Sequence, residues 1–264
     1  MLKVLFGNHS HFQLEIDKNI DKSRFSPEYG WYKSLDFSKY DLIVPITIWD
    51  YDLLRSFEKE YGDKYWIPSL VTTNVFDDKL QLNTDLCANG FSANVPEVIL
   101  DDHHSFPYIV KRIHDENGHN SFIIKGLEEE AAASEFLNNA EYFRQACVTG
   151  RDEFAAHILM VDGVVKYHMT VHHRMADDIY VKGGGLGTAK PVESRCMDKS
   201  PHVDLFANIL RKFSYNGLCC IDYKVDGETP KILEINPRLG YTVCWDINRL
   251  LGAYERLIRG RPEA

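Results

Sequence analysis

Apolar residues fall in short runs along most of the chain, and their spacing alternates between strand-like and helix-like periods. Leu2-Lys3-Val4-Leu5-Phe6 reads as a short buried strand that stops at Gly7-Asn8-His9, and residues 40–47 form a second apolar run after a polar stretch. Leu53, Leu54, Phe57 and Tyr61 share one helical face, which predicts a helix over 50–61 before Ile67-Pro68 opens a loop. Residues 1–75 thus read as a small α/β lobe. A further helix starts at Asp77, with Leu80, Leu82, Leu86 and Cys87 as apolar positions and Asn89-Gly90 as its stop. Strands are expected over 108–111 and 122–124, flanking a polar loop at 114–121, and the Glu/Ala-rich stretch 127–143 reads as a helix.

Strand-like runs dominate the rest. Residues 143–148, 154–161, 164–171 and 179–181 are rich in β-branched and aromatic side chains, and Asp162-Gly163 signals a hairpin between two of them. Helices are expected over 202–213, closed by Asn216-Gly217, and over 247–257, with a last hairpin from 218–225 and 231–235 between them. The order predicts an α+β protein, an α/β lobe followed by two α+β lobes.

The last hairpin carries the most informative chemistry. Glu234 and Asn236 are two apart on a strand, so both side chains leave one face, while Leu233 and Ile235 are expected to leave the other into a core. The turn at 226–230 is centred so that residue 222 opposes residue 234, which puts Asp222 beside Glu234 and Asn236. Clustered carboxylates repel unless a cation lies between them, and hard oxygen donors suit Mg²⁺ or Mn²⁺. Asn236-Pro237-Arg238 then adds a chain stop and a cation beside the acids.

Composition narrows the alternatives. With 44% apolar and 26% charged residues over 264 positions, the chain is neither disordered nor a disulfide miniprotein. Lys and Arg total 30 against 39 Asp and Glu; the net charge of −9 argues against nucleic acid or an anionic membrane as partner. No apolar run approaches the roughly 20 residues of a membrane helix, and the N-terminal run is too short for a signal-peptide core. The six cysteines form no C-x-x-C pair, so free thiols in a reducing cytoplasm are expected. The pairs His103-His104 and His172-His173 read as surface positions rather than a zinc site. Gly183-Gly184-Gly185-Leu186-Gly187 lacks the spacing of a P-loop or dinucleotide fingerprint and reads as a flexible turn.

The segment Leu233-Glu234-Ile235-Asn236-Pro237-Arg238-Leu239-Gly240, preceded by residues 219–227, resembles the metal-binding hairpin of ATP-grasp enzymes. Weaker similarities follow in the same order: residues 76–80 to a helix start bearing a phosphate lysine, 107–112 to the strand of a second one, 117–121 to a glycine flap, and 143–154 to an adenine hinge and ribose acid. The resemblance implies an ATP-grasp fold, two α+β lobes (76–147 and 148–264) clasping ATP, with the N-terminal lobe (1–75) on the substrate side. By the same resemblance, Lys79 and Lys111 would neutralise the α- and β-phosphates, Gly118 would close over them, and Lys182 would reach the γ-phosphate. Backbone groups of Ala146, Cys147 and Val148, with the Gln145 side chain, would face adenine, and Glu153 would bind ribose. Asp222, Glu234 and Asn236 would hold one or two Mg²⁺ ions, and Arg238 would hold a carboxylate or the transferring phosphoryl group. The implied activity is ATP-dependent ligation of a small carboxylate to an amine through an acylphosphate. A phosphotransferase and a non-catalytic nucleotide-binding protein are the alternatives.

Overall fold

A computed structural model of the chain describes residues 1–100, 105–115, 118–183 and 188–260. Of the sequence features singled out, His103-His104, part of the 114–121 loop and most of the glycine run at 183–187 lie outside the described residues.

The N-terminal lobe is a parallel sheet in the order β2-β1-β3, from β1 (Leu2–Gly7), β2 (Phe25–Gly30) and β3 (Leu42–Val44). Parallel neighbours need a crossover, and α1 (Ser10–Asn19) supplies the one from β1 to β2. Neither α1 nor β2 stands out in the sequence. Only Phe12 and Ile16 of α1 are buried, so its apolar stripe is thin, and Pro27 and Glu28 hide β2, which tolerates a proline because it lies at the sheet edge. The helix expected over 50–61 is two pieces, α2 (Ile48–Ser56) and the single turn α3 (Glu58–Tyr61), divided at Phe57. Thr47 and Asp50 form a reciprocal capping box at the start of α2.

Two helices, α4 (Leu70–Asp77) and α5 (Lys79–Ala88), meet at Asp78, which ends the first and caps the second by accepting a 2.7 Å hydrogen bond from the Gln81 N–H. Helix α4 replaces the loop expected after Pro68. The small lobe is an antiparallel sheet in the order β4 (Val98–Ile99), β7 (Tyr142–Ala146), β5 (Tyr108–Arg112), β6 (Ser121–Ile124). In place of one helix over 127–143 come two short ones, α6 (Leu127–Ala132) and α7 (Ser134–Leu137). None of their positions except Ala133 between them is buried, so Glu/Ala propensity alone does not carry the helix further.

The third sheet is antiparallel, ordered β10 (Glu193–Cys196), β9 (Val164–Arg174), β8 (Asp152–Val161), β11 (Gly217–Asp226), β12 (Thr229–Asn236). Asp162 and Gly163 both take positive φ in the β8–β9 turn, as the hairpin signal demands. Residues 179–181 form no strand; a single bridge from Lys182 to Ala189 is the pairing there. One face of this sheet packs Ala156, Ile158, Cys219, Ile221 and Ile235 against α8 (Val203–Lys212). The other face is divided. Leu159, Val161, Tyr167 and Met169 share a core with Val4 and Phe6 of β1 and with Leu250 and Leu251 of α9 (Ile247–Arg259), so the N-terminal lobe is cemented to the end of the chain. The remaining half, around Glu153, Ala155 and Asp222, is free of that packing and lines cavities. Among the described residues, no helix is long and apolar enough to cross a membrane.

Candidate active site

Asp222 pairs with Glu234 and Cys220 with Asn236 across β11 and β12, the register expected from the turn. A feature absent from the sequence reading produces it. The ladder shifts between Asp222 and Tyr223, so that Tyr223 pairs with Ile232 and Leu233 is the extra residue. Without that shift Asp222 would oppose Leu233, and Glu234 and Asn236 would face away. Leu233 consequently does not enter the core with Ile235. With Ile109 and Ile123 it forms an apolar surface in a cavity between the small lobe and the third sheet. The Asn236 side chain joins the acids, its amide donating to Asp222 Oδ2 at 3.2 Å and to Glu234 Oε1 at 3.0 Å.

Three lysines surround this face. Lys79, the first residue of α5, is buried and stands 3.6 Å from Glu234 Oε2, its Nζ also donating to the Asp115 carbonyl at the root of the 114–121 loop. Lys111, next to last in β5, has its side chain buried and donates to Gln145 Oε1 at 2.8 Å and to the Leu233 carbonyl at 3.3 Å. Burial lowers the Lys111 pKa to about 8 although Glu234 pulls the other way. For Glu234, burial favours the protonated form, but Lys79, Asn236, Lys111 and Arg238 outweigh it and hold the carboxyl at about 2.

Lys182 bridges Glu153 Oε1 at 2.6 Å and Asp222 Oδ1 at 2.9 Å. Burial works against its charge, yet the two acids keep its pKa well above the ordinary lysine value. Asp222 is raised to about 6, burial exceeding the pull of Lys182, with Glu234 and Glu153 adding to it. The ammonium thus ties together the acid expected to meet ribose and one expected to meet metal.

The hinge is more occupied than the sequence suggests. Gln145 is fully buried, its amide donating to Asn83 Oδ1 at 2.9 Å and to the Pro96 carbonyl at 3.1 Å while its oxygen accepts from Lys111. Its side chain therefore orients Lys111 from behind. The Ala146 N–H goes to the Glu97 carbonyl and the Val148 carbonyl accepts from Lys224 at 2.8 Å, so these two groups are already engaged within the protein. Lys224 and Asn83, neither singled out from sequence, are the supports: Lys224 also donates to the Gly150 carbonyl and lies 4.0 Å from the centre of the Tyr180 ring. Lys224 follows Asp222 by two on β11, the same-face spacing already used for Glu234 and Asn236, and that is the signal that could have found it.

In the loop after β5, Gly118 has φ +66, and a Cβ there would lie 2.9 Å from both the Lys182 carbonyl and Val181 Cγ1. The backbone of this loop therefore rests directly on the segment that carries Lys182, a fit that only glycine allows. Asp115 braces the loop by accepting from the Asn120 N–H and side-chain amide at 3.0 and 2.9 Å.

Between the small lobe and the third sheet lies a cavity open to solvent and lined by Lys79, Lys111, Cys147, Glu153 and Leu233. A second, larger one runs from the acid face and Arg238 to the N-terminal lobe, where it meets His9, His11 and Thr47. The two share Gly118, Lys182, Asp222 and Glu234. Tyr51 of α2 fixes the exit of β12 by donating to the Pro237 carbonyl at 2.6 Å, so the N-terminal lobe buttresses the loop that carries Arg238. All thirteen residues expected at the site border one or both cavities; Arg238 and Asn236 border only the larger one, and the hinge residues only the smaller.

No protein-family model matches the chain, and no curated protein sequence does. Solved structures do. Phosphoribosylamine–glycine ligase from Thermotoga maritima superposes with a TM-score of 0.69 at 15% identity, over 100% of this chain and 78% of that one. N5-carboxyaminoimidazole synthetase from Staphylococcus aureus, complexed with ADP, gives 0.67 at 12% identity over 100% and 78%. D-alanine–D-alanine ligase from Bacillus anthracis gives 0.63 at 13% identity over 98% of both chains. These are ATP-grasp proteins, and the chain has the ATP-grasp fold expected from its last hairpin.

Among the described residues no three Asp, Glu, His or Cys side chains cluster as a metal site. The third donor at the acid face is instead the amide of Asn236, giving two carboxylates and a neutral group. The amide nitrogen of Asn236 is what faces the acids here; with the amide turned so that its oxygen takes that place, the set is all oxygen and fits Mg²⁺, which takes few protein ligands and shares the rest of its shell with water and phosphate.

Proposed function

We propose that the chain is an ATP-dependent ligase that activates a substrate carboxylate as an acylphosphate and joins it to an amine. The observation that carries this reading is the shared wall of the two cavities: Lys182, Asp222 and Glu234 face a space fit for a nucleotide on one side and a larger space for an acceptor on the other. The ATP-grasp fold and its occurrence in proteins named as ligases support it.

In this reading the base lies on Leu233 and Ile109 with its edge to the backbone around Cys147, and Glu153 accepts from the ribose hydroxyls. Lys111, held by Gln145, and Lys79 neutralise phosphate oxygens. Asp222, Glu234 and Asn236 would hold Mg²⁺, which would supply positive charge to offset that of the phosphates. Lys182, now on Glu153 and Asp222, would turn to the γ-phosphate once nucleotide is bound. Arg238 fixes the acceptor carboxylate with its planar fork so that one oxygen lies in line with the γ-phosphorus. That oxygen forms the new P–O bond as the bond to the β,γ-bridging oxygen breaks, leaving ADP. A neutral amine then attacks the acyl carbon, phosphate departs, and the amine loses a proton to yield the amide. The Gly118 loop, seated on residues 181–182, excludes water from the mixed anhydride.

The test is ADP formation with Mg²⁺ over a panel of carboxylates, with and without amines. Acceptor-dependent ADP and an amide product are expected. A stable phosphorylated acceptor would replace the ligase with a phosphotransferase, and nucleotide binding without turnover under every acceptor would reduce the chain to a binding protein.

A further inference from the structure

The wall of the larger cavity opposite the acid face belongs to the N-terminal lobe and comes from the chain after β1 and β3. In parallel sheets, ligands bind beyond the carboxyl ends of the strands, and His9 and His11 follow the end of β1 at Gly7 directly. Their rings are 6.2 Å apart, close enough for both to hydrogen-bond one oxyanion. Nδ1 of His9 is shielded from solvent and has no hydrogen-bond partner, so no contact of that atom holds the ring, and a turn of the ring would bring it to a ligand.

The sign of the wall is equally informative. Among the described residues lining this cavity, the acids are Asp222 and Glu234, both on the metal face. The first turn of α1, which opens on the same wall, holds no acidic side chain. An acceptor that ended there in an ammonium group would meet imidazoles and no carboxylate. An acceptor that ended in an anion would meet two imidazoles able to donate, in a cavity that Arg238 also lines.

Resting on the ligase reading, we propose that the acceptor carries a second anionic group besides the carboxylate to be activated, and that His9 and His11 receive it. Carboxylate and phosphate share this chemistry. Arg238 and the histidine pair then act as two ends of a gauge, and a molecule with one anionic end engages only one of them.

The probes are succinate and phosphoserine, each against its single-anion counterpart, propionate and serine, titrated into the full chain with Mg²⁺ and a non-hydrolysable ATP analogue. Binding of the analogue is measured first, and its absence overturns the ligase reading itself. With the analogue bound, at least one dianion is expected to bind about tenfold more tightly than its counterpart, the worth of one charge-assisted hydrogen bond. A preference for succinate assigns a carboxylate and a preference for phosphoserine a phosphate. In His9→Asn and His11→Asn the preference falls to about twofold or less, while analogue binding and propionate binding stay as in the unsubstituted chain. His11 is exposed, so His11→Asn keeps the test intact if His9→Asn fails to fold. Equal binding of dianions and monoanions, or a preference that survives in His11→Asn and in a folded His9→Asn, overturns the proposal.

Discussion

Lys182 gives the most demanding prediction, because it holds two acids that would otherwise face each other away from water. Its Nζ is 2.6 Å from Glu153 and 2.9 Å from Asp222, and the acid side chains retain 5% and 13% of their exposure. Replacing it with the apolar Lys182→Met removes one partner and leaves the buried carboxylates uncompensated, a change that costs about 3–5 kcal/mol. Protonation of Asp222, already raised to about 6 with the lysine present, relieves part of this, so the lower end applies near pH 8. At about 2–4 °C per kcal/mol, the melting temperature should drop by roughly 6–12 °C. The sign with pH follows from the direction of the Asp222 shift. A carboxyl raised above its unfolded value of 3.8 binds more protons when folded, so its penalty is full above the folded value and fades as pH falls. The variant lacks the lysine that opposes this shift, so its deficit should shrink between pH 8 and 5. Mg²⁺ supplies a second signature: with Asp222 released, the variant should gain more melting temperature from Mg²⁺ alone than the unsubstituted chain does. Differential scanning fluorimetry over pH and Mg²⁺ measures all three effects. A variant as stable as the parent at pH 8, with the same response to Mg²⁺, would refute the argument.

Other expectations follow from neighbouring contacts. Gln145→Leu leaves Asn83 and Lys111 short of a buried partner, so it should cost about 1–3 kcal/mol and weaken ATP binding, read by thermal melts and nucleotide titration. Unchanged ATP affinity would remove Gln145 from its positioning role. Lys111, lowered to about 8, loses its charge as pH rises through that value, so ATP affinity should begin to fall near pH 8; Lys111→Arg should carry the decline to higher pH, and an identical profile would contradict the role. Gly118→Ala puts a side chain at positive φ against the Lys182 carbonyl, about 1–2 kcal/mol of strain, and should slow acceptor-dependent turnover more than it weakens ATP binding.

The chemistry was more legible than the architecture around it. Glu234 and Asn236 declare themselves through a two-residue period, and the pairing of Asp222 with Glu234 is the one expected, although the turn closes at 227–228 and the bulge supplies the register. The bulge at Leu233 was hidden, since nothing in an alternating run marks which residue will be extra, and it moved Leu233 from the core to the cavity. Helix α4, Leu-Val-Thr-Thr-Asn-Val-Phe-Asp, is rich in β-branched residues with weak helix propensity; packing of Thr72, Thr73 and Phe76 and a cap from Ser69 make it helical. The stretch 127–143 errs the other way, with strong propensity and almost no buried face. His9 and His11 carry a positional signal, standing just past the end of a parallel strand, but they gain meaning only once β12 and the acid face lie across the cavity from them.

The central claim is that the acid face of the β11–β12 hairpin gathers a divalent cation against the phosphates of ATP. Calorimetric titration of ATP with and without Mg²⁺, on the unsubstituted chain and on Glu234→Ala, tests it most directly. The account predicts tight binding only with Mg²⁺ and loss of that Mg²⁺ dependence in the variant. Metal-dependent ATP binding that survives Glu234→Ala undiminished would contradict it.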